Sequence, residues 1–420
     1  MKASKYIINA DIGDKSIYYN LTNGTMLEAD ALEKVEIEKC LENPNDRMNE
    51  YWENLYNASF LLDDSYDEMK AIKLRHWKKC FEKDCFEVTI IPTLRCNEKC
   101  VYCYQRGIQY DVLDMDDADF NDILKYLKMV KSKNIRINWY GGEPLLCKDK
   151  ILAFCKQLDK DSRHIYTYSI STNATMFDYD FYTTMVNYGL TIVDTTLVGE
   201  EKSFERLGRA HCGGYRRVKN NIVNIARIVP VVVSINLCST NMEEIKELLD
   251  DFREYSDLPI TFSFTRIVSY ENNPSSEIEL DIDTYMKKVI ELSNYAISNG
   301  LHVCDMSCFE NDGVYCGTYI NNNFTIAPGN NIFECENSFL TKNAVGKIID
   351  GKVISKSNTC HLCADPYEVL ECQDCKILPY CNGGCIHMRK LGKNYCPAEK
   401  DYLIDFLKLY YKKNYENNIF

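Results

Sequence analysis

Three cysteines within eight residues, Cys96, Cys100 and Cys103, follow directly on the apolar run 88–92 with the spacing CxxxCxxC. No other feature constrains the chain as tightly. Soft thiolates select zinc, copper(I) or iron–sulfur centres. Structural zinc wants four closed ligands in two spaced pairs, which this loop does not offer. A [4Fe–4S] cluster takes four thiolates, so a compact loop with three would leave one iron open to bind something else. The other reading is a chance group of thiols in a cysteine-rich chain.

Twenty-one cysteines, and a start without the long apolar region and cleavage site of a signal peptide, point to a reducing cytoplasm. Thiols there serve metals and chemistry rather than disulfides. Oxygen destroys exposed iron–sulfur clusters, so an anaerobic host is expected. A formal net charge of −13 without a basic block argues against nucleic acid as a partner, because that affinity rests on neutralising phosphates. No apolar run reaches the roughly 18 residues of a membrane span, so no membrane partner is expected.

At 420 residues there is chain for two or three domains. Four segments are expected: a small α+β domain over 1–85, an α/β domain over 86–300, a cysteine-rich domain over 301–400 and an amphipathic helix within 401–420. In the first, strands at 6–11, 16–19 and 25–28, the last two joined through Asn23-Gly24, precede helices near 32–41, 48–58 and up to 79. In the second, strands at 87–92, 135–140, 166–171, 191–197, 231–237 and 260–266 alternate with helices near 117–131, 150–158, 180–188, 215–228 and 243–254. Strand–helix alternation implies a parallel sheet, with chemistry at the C-terminal strand ends if the sheet curls into a barrel.

With Tyr102 before its third cysteine, the CxxxCxxC loop resembles the signature of the radical S-adenosylmethionine (SAM) enzymes. The six strand–helix units resemble that family's partial (β/α)6 barrel. In the family, the open iron chelates the amino and carboxylate groups of SAM, and one electron from the cluster cleaves SAM to a 5′-deoxyadenosyl radical that takes hydrogen from substrate. Gly141-Gly142-Glu143-Pro144 matches the family's GGEP motif, which implies a grip on the SAM amino group, the glycines allowing close backbone approach. Ser171 and Asn173 end the third strand where relatives contact the SAM ribose; a simple polar turn is the other reading. Val198 stands where relatives often carry an Asp, so any role of that Asp is lost. Arg209 lies about where relatives place an arginine on the SAM carboxylate, with Arg206 as a competitor.

The run CxxCxxxxxCxxxC formed by Cys372, Cys375, Cys381 and Cys385 has Cys396 beyond it and Cys316 and Cys335 upstream. It resembles the SPASM extension of peptide- and protein-modifying radical SAM enzymes, which implies two auxiliary [4Fe–4S] clusters and three in all. Cys372, Cys375, Cys381 and Cys396 would hold one, and Cys316, Cys335 and Cys385 the inner one. Cys308 is the first candidate for a fourth inner ligand, with Cys304 behind it, unless the spare pair Cys360/Cys363 supplies it or the position is left for substrate. A zinc site of Cys360, Cys363, Cys372 and Cys375 is the alternative. Asn330 stands where relatives have Gly, with Gly329 one earlier; Asn also tolerates φ > 0, so the turn is expected to survive. Glu336, next to Cys335, occupies the place of an Asp that takes a proton from substrate in sulfatase-maturing relatives. It is the candidate base, with a solvated surface Glu as the other reading.

The winged-helix-like N-terminal stretch resembles the region with which peptide-modifying relatives add a precursor's leader as an extra strand; a structural cap is the other reading. Together the resemblance implies a peptide maturase that takes hydrogen from a ribosomally made precursor and oxidatively forms a thioether or carbon–carbon crosslink. Flavodoxin or ferredoxin would be the electron donor. The alternatives are an anaerobic sulfatase-maturing enzyme that forms formylglycine, and a non-catalytic electron carrier or zinc-structured binding protein. A carrier has no use for an open iron and a SAM grip.

Overall fold

The structure, a computed structural model, describes residues 1–105, 111–269, 275–304, 309, 313–336, 344–355, 365–390 and 396–416. It divides into two units: Met1–Phe81 with Met306–Asn321 and Cys360–Phe420, and Glu82–Asp305 with Asn322–Thr359.

The second unit is built on one large α/β sheet. Six parallel strands lie side by side in chain order: Cys85–Thr93, Asn134–Gly141, Ile165–Thr172, Leu190–Leu197, Val231–Leu237 and Ile260–Arg266. Among the described residues the first and the last of them do not pair, so the barrel is partial. Each lies within two residues of its expected bounds, because period-two patterning marks it. Val231, Val233, Ile235 and Leu237 are buried, whereas Val232, Ser234 and Asn236 between them are half-buried. A parallel sheet covered on both faces reads as one apolar run. Alternation here means that one face meets helices and the other lines a polar hollow.

Connecting helices carry their own start signals. Asp117–Leu127 is opened by a capping box of Asp116 and Asp119, and Tyr179–Tyr188 by Asp178. Three helices are shorter than expected, and Asp117–Leu127 stops four residues before 131. Trp52–Asn57 begins late because the Asp46 and Asn49 side chains accept the Met48 and Tyr51 N–H groups, competing with the helical pattern. Ile245–Asp250 occupies only the middle of 243–254. The short helix Glu201–Arg206 was not expected.

Part of the cysteine-rich stretch joins this sheet. Asn323–Ala327 pairs in parallel with the otherwise unpaired edge of Cys85–Thr93, and Asn331–Phe333, Gly346–Ile349 and Lys352–Ser355 continue as an antiparallel meander. The turn at Gly329 and Asn330 forms with φ of +73° and +57°. Asp119 accepts the Gly329 N–H at 3.1 Å and fastens the turn to its helix.

The first unit contains a three-stranded antiparallel sheet, Ile7–Ile12, Lys15–Asn20 and Met26–Ala29, with Lys15–Asn20 in the centre. Helices Ala31–Glu42 and Glu68–Cys80 follow, and the C-terminal helix Leu403–Tyr411 packs against Ile7–Ile12. No helix among the described residues is long and apolar enough to cross a membrane.

Candidate active site

The CxxxCxxC loop leaves the first barrel strand and is clamped through its backbone from two sides. Gly142 N–H donates to Thr93 O (3.0 Å) and Glu143 N–H to Arg95 O (2.8 Å). Opposite, Lys99 N–H donates to Gly208 O (3.2 Å) and Val101 N–H to Leu207 O (3.1 Å). Both clamps depend on glycine: a Cβ on Gly142 would stand 2.1 Å from Arg95 O, and one on Gly208 2.4 Å from Lys99 O. The missing Cβ of Gly142 thus serves first to seat the cysteine loop, whereas the sequence reading reserved it for an approaching ligand.

Glu98 lies inside the loop, only 6% exposed, and accepts the N–H groups of His211 (3.2 Å) and Cys212 (3.1 Å). Sequence reasoning missed it; a lone carboxylate between two expected ligands was the available signal. Asn173 Nδ2 donates to Asn97 Oδ1 (2.7 Å) and reaches Cys96 Sγ at 3.7 Å. Glu98→Ala strands two donors, and its expected cost is ~2 kcal/mol, read as a lower urea midpoint. An unchanged midpoint would mean that this carboxylate holds nothing.

A cavity of about 460 Å³ opens beside the loop. Cys96, Cys100 and Cys103 line it together with Tyr102, Gly141, Gly142, Ser171, Asn173 and Arg209. Residues far apart in sequence thereby meet on one wall. Glu143 and Pro144 do not line it. Glu143 is fully buried, and its carboxylate accepts Leu145 N–H (3.0 Å), the Thr172 hydroxyl (2.8 Å) and Asn173 N–H (2.8 Å). Burial raises its carboxyl while those hydrogen bonds pull the other way. The side chain expected to grip a ligand is therefore engaged in holding Thr172 and Asn173 in place. Pro144 is buried at the start of the turn Pro144–Cys147.

Arg209 is fully buried. It donates to Thr196 O (2.6 Å), to the Thr196 hydroxyl and to Asn173 O (2.9 Å), and stacks on Phe204. Among the described residues its Nε has no hydrogen-bond partner, and the adjacent Tyr102 hydroxyl makes no hydrogen bond of ordinary geometry to Arg209 or Asn236. Two such donors behind a cavity wall fit an anionic ligand such as a carboxylate. Arg206 is directed elsewhere, to Ser203, Thr240 O and Glu244. Of the two competing arginines, Arg209 is the one on the cavity.

Glu336 is not on this wall, but its backbone carbonyl lies 3.3 Å from the Tyr104 hydroxyl, which is 2.9 Å from that of Tyr140. Its side chain is accessible to solvent yet surrounded closely enough that its carboxyl is held above the usual range, first by those surroundings and then by the charge of Asp194.

In the first unit Cys372, Cys375, Cys381 and Cys396 line one small cavity with Lys400. Burial pushes the Cys381 thiol up to about 12 and, in the second unit, the Cys96 thiol up to about 11, so ligation there relies on a metal's charge to remove the proton. Cys316 and Cys385 belong to the first unit, Cys335 and Cys304 to the second, where Cys304 N–H donates to Phe262 O (2.9 Å). Cys308, Cys360 and Cys363 lie outside the described residues. Among those described, no three His, Cys, Asp or Glu side chains converge as ligands of a single metal ion.

Residues 90–252 match the Radical SAM superfamily. The chain is 20% identical over 379 residues to the radical SAM cyclopropyl synthase TigE of Paramaledivibacter caminithermalis, a match covering 81% of this chain and 76% of TigE. A probable GTP 3′,8-cyclase of Methanopyrus kandleri is 23% identical over 41% of this chain and 54% of its own. Among solved structures, native anSMEcpe with bound AdoMet superposes with a TM-score of 0.60 at 17% identity, over 79% of this chain and 97% of that one. Streptococcus suis SuiB bound to precursor peptide SuiA superposes with a TM-score of 0.53 at 17% identity, over 94% and 99%. This chain, anSMEcpe and SuiB share the fold.

Proposed function

We propose, from the premise that the chain carries a radical SAM domain over residues 90–252, that it is a radical SAM maturase acting on a ribosomally made peptide. One observation carries the reading: three thiols, a glycine pair and a buried arginine with a spare donor meet on the wall of a single cavity. Cys96, Cys100 and Cys103 would hold a [4Fe–4S] cluster, which together with SAM would supply radical chemistry in this cavity. Arg209 and Tyr102 would receive the SAM carboxylate, Gly141 and Gly142 would face its amino group, and Ser171 and Asn173 its ribose. Glu143 would keep Asn173 aligned for that contact. Cys372, Cys375, Cys381 and Cys396 would hold an outer auxiliary cluster, giving electrons from the substrate somewhere to go.

Substrate delivery would fall to the N-terminal sheet. Its strand Met26–Ala29 pairs on one side only among the described residues, and a sheet edge of this kind takes an extended peptide as an added strand. Likeness to SuiB, solved with its precursor peptide, and to a cyclopropyl synthase supports a peptide substrate and, of the two products, a carbon–carbon bond. Flavodoxin or ferredoxin would supply the reducing electron.

Glu336 would take the proton released as the substrate is oxidised. Glu336→Gln is expected to lower product per 5′-deoxyadenosine by ~100-fold or more. Because its carboxyl sits above the usual range and a base must be unprotonated, wild-type activity should fall as pH drops through that raised value. A Gln variant with the wild-type ratio and acid limb would remove Glu336 from the reaction.

Mass spectrometry of a genomically adjacent short peptide after anaerobic turnover tests the function. A product lighter by two hydrogens and without a hydrazide-reactive aldehyde is expected. An aldehyde formed on a Cys or Ser would favour the sulfatase-maturing alternative.

A further inference from the structure

Among the described residues, one charge on the wall of the large cavity has no partner beside it. Asp194 sits on Leu190–Leu197, in register with Ser171 on one neighbouring strand and Val232 on the other, and lines the cavity. The other charged side chains of that wall are committed. Glu98 accepts the His211 and Cys212 N–H groups, Arg209 donates to Thr196 and Asn173, and Arg266 binds Glu279 and Leu280 O. Asp194 has no hydrogen bond or ion pair among the described residues, and burial alone holds its carboxyl above the ordinary range. Around the same hollow stand hydroxyls, those of Ser171, Thr196, Ser234 and Thr265. These solvate a charge without neutralising it.

An unpaired carboxylate drawn out of water is costly, and a cation brought to it regains that cost as a charge-assisted hydrogen bond. Among the described residues no cation pairs with Asp194, the spare donor of Arg209 being the one placed for an anion, so the balancing charge would arrive with the ligand. We infer that Asp194 receives a positively charged group of the substrate, a lysine or arginine side chain or a free amine, close to the carbon that loses hydrogen. The peptide nature of that substrate rests on the maturase reading; the charge rests on Asp194. A substrate-reading role also fits its place on a strand, a more rigid support than a loop.

The test uses the full chain, reconstituted without oxygen, with SAM and dithionite. Pentapeptides Gly-Gly-X-Gly-Gly are supplied with X fully deuterated, X being Lys, Arg, norleucine or Glu. The reading is deuterium recovered per 5′-deoxyadenosine, which does not depend on how fast SAM is cleaved. Lys or Arg should exceed norleucine by about tenfold or more. That preference should vanish in Asp194→Asn, which keeps the shape of the side chain, and turn towards Glu in Asp194→Lys. Equal transfer from all four peptides overturns the charge assignment and leaves the peptide reading intact. Transfer from deuterated butylamine but from no peptide keeps the charge assignment and overturns the peptide. No transfer from any of them overturns both. An Asp194→Asn variant that keeps the Lys preference but binds SAM tenfold more weakly would assign Asp194 to SAM and overturn the inference.

Discussion

Replacing Cys96, Cys100 or Cys103 with Ala should remove about four irons per chain and reduce 5′-deoxyadenosine to background. The three thiols share one cavity wall, and the loop that carries them is fixed by four backbone hydrogen bonds to the segments on either side. Losing one thiolate leaves two ligands on a preformed frame, too few for a cluster that already has one open iron. Because the frame is held by backbone and by Glu98 rather than by the metal alone, the variant should remain folded, with far-UV circular dichroism unchanged. Iron retained at the wild-type level with SAM cleavage intact would mean that these thiols are not the ligands.

Gly142→Ala should be nearly as damaging, although it adds a single carbon. The new Cβ would stand 2.1 Å from Arg95 O and 2.7 Å from Leu94 O. Both are backbone atoms at the entry to the cysteine loop, so no side chain can swing away to make room. Gly142 is not in the left-handed region, and the whole effect is therefore steric. The loop must shift by a substantial part of an ångström, and displacement of about 1 Å at a reacting centre costs about 10²-fold. A fall in 5′-deoxyadenosine of that size, with iron retained less firmly, is expected. A variant with wild-type turnover would show that the two segments are not packed as described.

How much of this was legible follows from where the information lies along the chain. The six barrel strands were readable because their alternation is local. In 231–237 every second residue is apolar, and neighbours supply the rest of the pairing. The thiol loop was readable because its ligands are contiguous. Strand Asn323–Ala327 was not, since it pairs with an edge offered by residues more than 200 positions earlier, and Asn331–Phe333 in turn pairs with it. Glu143 was assigned to the ligand because its motif is contiguous with the glycines. In the structure its carboxylate accepts from Thr172 and Asn173, at the end of a strand some 30 residues on, a proximity that only the folded sheet creates. Glu98 and Asp194 each look like an ordinary acid in sequence. For Glu98 the missing fact is the return of His211 and Cys212 to the loop. For Asp194 a hint was present, an acid at the inward parity of a barrel strand, but its lack of a partner is a property of the whole wall.

The most direct test of the central claim is a count of iron and acid-labile sulfide per chain in anaerobically reconstituted protein, followed by SAM cleavage under dithionite. A radical SAM enzyme with two auxiliary clusters predicts about twelve irons and 5′-deoxyadenosine as the nucleoside product. About four irons accompanied by zinc, or full iron loading without any 5′-deoxyadenosine, would contradict it.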